Sequence, residues 1–546
     1  MRSAAWVWLT CLLAALGANA GTPTPQTLYF EPEGEVSCTV TGISERWSGT
    51  GFMPVRVRLE NRAPRAREWE IVLTGQRGIS RHEYSWREAL ALKAGETREA
   101  VFFLPGAGRD DTQSANFNAQ IFGPGAPSGG SAVTLAQLRS DPSILTATHP
   151  SMEAALFAAT NRAPGIRTEI VAVDPLLWPA DWRVWSPFER VVLTADYHAM
   201  LDAPRRAALR DWVALGGVLD LYAAPAEGRP RVERIGHGAV RQHAETLRAT
   251  EGGKVPVDLG ERGFAALAKA RGMEIDEARR RELKPEAGAL GLTFFLLGFA
   301  VVVGPINLFV FAPPARRHRV FVTVPLISLA ASALMAGYIV VKDGFGGEGA
   351  RRGLVWLLPD TNQAVVDQAQ VTRTGVLLGE EFALPGDVIF EQVLDQAAAH
   401  QMHQGQMQGG NYLRTRDGAT GDWFMSRRRQ EQFVRSITPT RARVELVAGG
   451  AGGESPVVQS SVGTVLRDFV YRDAGGGIWV ADTVEPGRRV TLRPATDTRD
   501  RATPAGCFSA EGGAAEGLAP IETLASIRWD EAYFIYAGPL AGARTP

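Results

Sequence analysis

Asp174 ends the segment IRTEIVAVD (166–174), and Asp196 and His198 sit at the carboxyl end of ERVVLTAD (189–196) and just past it; both segments read as buried strands. An acid that orients a histidine, and a histidine that takes a proton, are how a hydrolase activates its nucleophile. The carboxyl edge of parallel strands is also where open α/β sheets bind ligands. The nucleophile is what this stretch lacks. Between Thr146 and Pro285 there is no cysteine, and the serines are Ser151, at a helix start, and Ser186, in the loop WSPF. Neither has the small-x-Ser-x-small setting of a strand-to-helix elbow. Asp174, Asp196 and His198 are therefore read as a candidate ligand rim, with capping and loop solvation as the competing role.

Two further constellations carry potential chemistry. HQMHQGQMQGG (400–410) gathers His400, Met402, His403 and Met407, and imidazole with thioether suits copper outside the cytoplasm. A Gln/Gly-rich stretch equally describes a surface loop, so no metal or other cofactor is assigned. Of three cysteines, Cys11 lies in the N-terminal apolar run, leaving Cys38 and Cys507. They form either one disulfide or two unrelated thiols, and they exclude a cysteine-based zinc site. No phosphate-binding loop, HExxH, EF-hand or dinucleotide fingerprint is present. With 58 Lys plus Arg against 59 Asp plus Glu, no global field is available to hold nucleic acid.

The elements that must position these residues change character along 546 residues. Residues 1–20 combine one basic residue, an apolar core and Ala18-Asn19-Ala20, the pattern of a secretory signal peptide, with an uncleaved anchor as the alternative. Residues 27–145 read as a β-sandwich: in PVRVRLEN (54–61), Val55, Val57 and Leu59 alternate with Arg56, Arg58 and Glu60. Residues 146–250 alternate strands with helices, which implies a parallel sheet. Asp202 is a helix N-cap, Pro204 falls in the first turn, and Gly216-Gly217 ends the helix. Residues 251–289 are a linker with a helix.

The order of a buried strand, D-x-x, and a capped helix ending in LRDWVALGGVL resembles the class I glutamine-amidotransferase-like domain of bacterial envelope proteins. The resemblance spans roughly Thr146 to Thr250. It implies a doubly wound, flavodoxin-like fold, and in such proteins the domain often carries no catalytic residues.

Leu290–Phe311 and Val320–Val341 contain no charged residue. Each is long enough for a ~30 Å hydrocarbon core, so they read as a transmembrane hairpin closed by APPARRHR (312–319). The pair GPINLFVF and this basic loop resemble the hairpin of uncharacterised bacterial inner-membrane proteins. Asn307 and Thr323 are expected at similar depth and in contact across the hairpin, and Ala300, Gly304, Ala333 and Gly337 to allow close helix approach. Residues 350–546 return to short strands, including LRDFVYRD (466–473), IWVAD (478–482) and EAYFIYAG (531–538), and read as a second β-rich domain. The basic run SRRRQEQFVR (426–435) reads as a solvated helical face, with anionic lipid as its alternative partner.

Together these readings predict a bacterial inner-membrane protein, mostly periplasmic, whose domains dock other envelope proteins without catalysis. By analogy its partners include systems with MoxR-type ATPases and von Willebrand A domains. A periplasmic hydrolase using Asp196 and His198, or copper handling through His400–Met407, are the alternatives. Arg316, Arg317 and Arg319 place the short loop in the cytoplasm by the positive-inside rule. Arg279, Arg280, Arg281 and Lys284 before the first span oppose that orientation, and the signal peptide is given precedence over them.

Overall fold

The computed structural model describes residues 26–28, 36–43, 46–47, 51–76, 83–105, 116–124, 133–138, 144–160, 168–223, 231–244, 289–377, 382–385, 388–393, 411–414, 418–421, 426, 429–449, 454–473, 475–495, 507–511 and 527–540. The expected signal segment 1–20, linker residues 251–288 and the His400–Met407 stretch lie outside them.

Most of the described chain is β-sheet. In Phe52–Asn61, Val55, Val57 and Leu59 are fully buried while Arg58 is exposed, the burial that period-2 alternation demands. This strand lies between Val36–Gly42 and Thr97–Pro105 in a four-stranded antiparallel sheet. An eight-stranded sheet built around Arg67–Gln76 and Glu83–Leu92 shares its core. Trp86 stands edge-on to Phe102 at 5.8 Å there. Three strands of this second sheet, Phe382–Pro385, Asn411–Arg414 and Gly418–Gly421, come from far downstream, and Asn411–Arg414 runs parallel to Glu83–Leu92. Residues from the segment read as a separate C-terminal domain thus extend an N-terminal sheet.

The third sheet is parallel except at one edge. Its order is Thr168–Ala172, Ile144–Thr148, Arg190–Thr194, Val218–Tyr222, Gly238–Gln242 and Arg231–Ile235, with only the last strand antiparallel. Between two of its strands runs the helix Ala203–Ala214. Asp202 caps it by accepting from the Arg205 N–H at 2.8 Å, and Leu209, Trp212 and Val213 are its buried stripe. After the helix the chain turns through Gly216 at φ +124°, and a Cβ on Gly217 would sit 2.2 Å from the Trp212 ring. Gly217→Ala should therefore force the indole or the turn to move, at about 1–3 kcal/mol for overpacking. A lower urea midpoint measures that loss, and an unchanged midpoint would show that Trp212 yields without strain.

Two helices are long and apolar enough to cross a membrane, Thr293–Phe311 and Arg316–Asp343. Ala289–Val301 is α-helical, but Val302–Phe311 winds as a π-helix. Pro305 lies inside that segment and removes a ladder donor, and Ala312 N–H donates to the Asn307 carbonyl five residues back at 2.8 Å. The small residues do not make the helix contact expected of them. Nothing lies within 4 Å of where a Cβ would stand on Gly304 or Gly337, and Ala300 and Ala333 are exposed. Their side of each helix is turned outward because the rotation of an apolar helix is set by packing, which a uniformly apolar sequence leaves open.

Beyond the hairpin, Gly347–Leu358 and Gln363–Thr374 pair along their full lengths at the centre of a nine-stranded sheet. Ile527–Ala537 enters it parallel to Gly347–Leu358 and antiparallel to Cys507–Glu511. Val444–Ala448, Val457–Ser460 and Arg489–Thr491 form a three-stranded sheet, sharing a core of Val355, Val366, Val458, Phe469 and Tyr536 with the larger one. The run read as a helical face is instead the strand Arg429–Pro439, whose Gln430, Gln432 and Val434 are buried. Period 2, hidden by its charges, governs that segment.

Candidate functional site

Strand register sets the rim. Thr148 is level with Ala172 and Val192, Thr194 with Tyr222, and Leu221 with Gln242. His149, Asp174, Tyr197 and His243 all follow those positions at the carboxyl edge of the parallel strands. Asp196 and His198 are on the short helix Ala195–Met200, which Thr194 caps by accepting from Tyr197 N–H at 3.1 Å. Residues two apart on a helix point roughly 200° from each other, so these two do not face one another as an acid–base pair. Asp196 is exposed. The half-buried His198 imidazole has its pKa lowered by burial and then by the Arg206 guanidinium.

The residue between them is the one that reaches Asp174. Tyr197 donates its hydroxyl to Asp174 Oδ1, and burial, then this carboxylate, push the phenol above its ordinary pKa. Asp174 also caps a 3₁₀ turn by accepting from Leu176 N–H at 3.0 Å. The His149 ring lies 4.2 Å from that of Tyr197, and its Nδ1 is 2.7 Å from Ser151 Oγ. Ser151 N–H also donates to the same nitrogen at 3.3 Å, a helix-capping arrangement. Ser186, the other serine of this region, accepts from Phe52 N–H at 2.7 Å and donates to the Arg183 carbonyl at 2.7 Å. It joins the parallel-sheet region to the N-terminal strand.

A carboxylate that sequence reading passed over lies deeper in the same sheet. Asp220, at the middle of VLDLY, is fully buried between Arg190 Nε at 2.5 Å and His243 Nε2 at 2.8 Å. Burial alone would raise its pKa, but the His243 hydrogen bond and the Arg190 charge outweigh it and hold the carboxyl below its ordinary value. His243 is stacked on Tyr222, with centroids 4.4 Å apart and planes at 10°. Ala223, next in the chain, has φ +56°, a conformation a residue with a Cβ adopts at a cost. The signal was available: a charge inside a strand buried on both faces must have a partner.

The second missed carboxylate joins parts of the chain that precede and follow the two long apolar helices. Asp367, fully buried within Gln363–Thr374, receives Arg435 Nε at 2.6 Å and Nη2 at 3.2 Å. His237 Nε2 lies 2.6 Å from its other oxygen. Arg435 also donates through Nη1 to the Leu215 carbonyl at 2.8 Å. His237 belongs to the turn between Arg231–Ile235 and Gly238–Gln242, a turn pressed so close to the helix end that a Cβ on Gly236 would sit 2.4 Å from the Ala214 carbonyl oxygen. Burial raises the Asp367 pKa less than Arg435 and His237 lower it, and the carboxyl is held well below its usual range. Gln363 adds a bond to Asp211 Oδ1 at 3.2 Å.

Cys38 is a free, buried thiol in Val36–Gly42, and burial pushes its pKa up to about 12. Cys507 starts a strand of the nine-stranded sheet, and its side chain lies outside the described residues. In the hairpin, Thr323 donates to the Arg319 carbonyl at 3.0 Å. Asn307 is fully buried with neither amide atom partnered among the described residues. The two do not bond across the hairpin, because a hydroxyl can satisfy itself on its own helix four residues back. No group of three or more His, Cys, Asp or Glu able to hold a metal occurs among the described residues.

No protein-family model matches this chain, and no curated protein does. Among solved structures, a Paenibacillus cycloisomaltooligosaccharide glucanotransferase is 14% identical over 37% of this chain and 27% of its own, at a TM-score of 0.17. A Bacteroides uniformis β-glucuronidase is 12% identical over 34% of this chain and 22% of its own, at 0.12. A Dictyoglomus thermophilum β-D-mannosidase is 8% identical over 93% of this chain and 77% of its own, at 0.15. The chain spans about a quarter of the length of the first two, and likenesses at these scores carry no argument about fold or activity.

Proposed function

We propose that this chain is a non-enzymatic protein of a bacterial inner membrane, whose soluble parts form one docking body on the periplasmic side. The observation that carries this reading is the Asp367 cluster. His237 and Leu215 precede the apolar helices, Asp367 and Arg435 follow them, and these four meet in one buried charge network. An ion pair cannot form across a bilayer, which supports a reading in which both flanks lie on one side and the two apolar helices cross and return. The parallel sheet is read as a degenerate, flavodoxin-like amidotransferase-like domain. Its strand order supports this, as does the use of Ser186 for packing and of Ser151 in a cap. A rim of partnered side chains at the strand ends suits recognition better than turnover, and other envelope proteins, including systems with MoxR-type ATPases and von Willebrand A domains, are its partners by analogy.

Reporter fusions test the topology. Alkaline phosphatase fused after Gly347 should be active and a cytoplasm-dependent fluorescent protein there dark, with the reverse for fusions at Arg316. The opposite pattern would place the body in the cytoplasm. Amide or ester turnover by the purified chain, lost in Asp196→Ala or His198→Ala, would replace the docking reading with a hydrolase.

A further inference from the structure

A cleft of about 790 Å³ opens between the three-stranded sheet and the turn joining Gly347–Leu358 to Gln363–Thr374. Its walls include Asn362, Arg441, Arg443, Glu445, Gln459 and Gly487. Its size is that of sites for small ligands. We propose that this cleft binds a carboxylate-bearing ligand, with the Arg441 and Arg443 guanidinium groups as its receptors.

The geometry supplies two guanidinium groups at the cleft and a single carboxylate engaged with them. Arg441 and Arg443 stand two residues apart just before the strand Val444–Ala448, and both line the cleft. Ser461 fixes that segment: its hydroxyl accepts from Arg443 N–H at 3.1 Å and lies 3.3 and 3.2 Å from the carbonyls of Arg441 and Arg443. Glu445 engages only Arg443, through Nε at 2.6 Å. The Arg441 guanidinium has no protein partner among the described residues, so the cleft keeps an excess positive charge. Gln459 spends its amide N–H on the Gly487 carbonyl at 3.1 Å, which orients its side chain in the wall. Asn362 holds φ +52° at the rim, and its carbonyl accepts from Thr440 N–H at 2.8 Å, tying the rim to the arginine segment. A planar guanidinium fork matches a carboxylate through two parallel hydrogen bonds.

Position argues against lipid phosphate as the source of the anion. The cleft lies at the end of Gly347–Leu358 away from the membrane helix, and twelve residues of strand extend roughly 36 Å. Carboxylate could come from an acidic peptide or from a free polycarboxylate, and one titration separates them. The full chain in detergent, at about 0.15 M salt, is titrated with tetraglutamate and with citrate. Saturable binding of either supports the site and identifies the source. Arg441→Gln should weaken it about tenfold or more, the equivalent of a charge-assisted hydrogen bond, with unchanged thermal unfolding because Arg441 is exposed. Arg488→Gln, which removes a neighbouring surface charge paired with Glu485, should leave binding intact. No saturable binding, binding of inorganic phosphate alone, or equal losses in Arg441→Gln and Arg488→Gln would each overturn the proposal.

Discussion

Asp367→Ala should lower the unfolding free energy by about 3–5 kcal/mol, the cost of leaving a buried charge without its counter-ion. The side chain removed is fully buried, and the Arg435 left behind is 8% exposed at its side chain. Its guanidinium would keep its bond from Nη1 to the Leu215 carbonyl but lose the carboxylate that balances its charge. The loss should appear as a lower urea midpoint and as earlier protease cleavage between the parallel sheet and the nine-stranded sheet, since the cluster joins those two. Removing both charges distinguishes the clamp from simple loss of packing. Asp367→Ala with Arg435→Met should recover much of the stability, because burying two apolar groups avoids the stranded charge. A single variant as stable as the parent would mean that the cluster does not hold the flanks together.

Asp220→Ala should also cost about 3–5 kcal/mol, but with a different signature. Arg190, Asp220 and His243 all belong to the parallel sheet. Its loss should therefore loosen that sheet, with raised amide exchange in Val218–Tyr222 and Gly238–Gln242, while the Asp367 junction stays protected. Acid should reveal both carboxylates. Each has a folded pKa below its ordinary value, so each contributes stability that is fully present above about pH 4. That contribution is lost as pH falls through the lowered folded values, where the native state must take up protons the unfolded chain already holds. Asp220→Asn and Asp367→Asn should each flatten the acid side of the stability–pH curve. An acid limb unchanged in both variants would show that other carboxylates set it.

Much of the local structure was legible in the sequence. Alternation in PVRVRLEN predicts the strand found at Phe52–Asn61, Asp202 and Gly216-Gly217 bound the helix Ala203–Ala214, and two charge-free runs give helices long enough to cross a membrane. Each rests on neighbours within a few residues, where periodicity and capping act.

What the tertiary structure alone decided is partnership. Nothing near Asn411 announces that its strand pairs with Glu83–Leu92, or that Ile527–Ala537 inserts beside Gly347–Leu358. The basic run hides a strand because Arg435 turns inward to Asp367. Asp196 and His198 look like a pair in sequence but point to opposite sides of a short helix, while Tyr197 between them meets Asp174. A buried carboxylate in a sequence states only that a counter-charge must exist. Which residue supplies it depends on separate segments of the chain, on different strands and turns, being folded together, and no local pattern encodes that pairing.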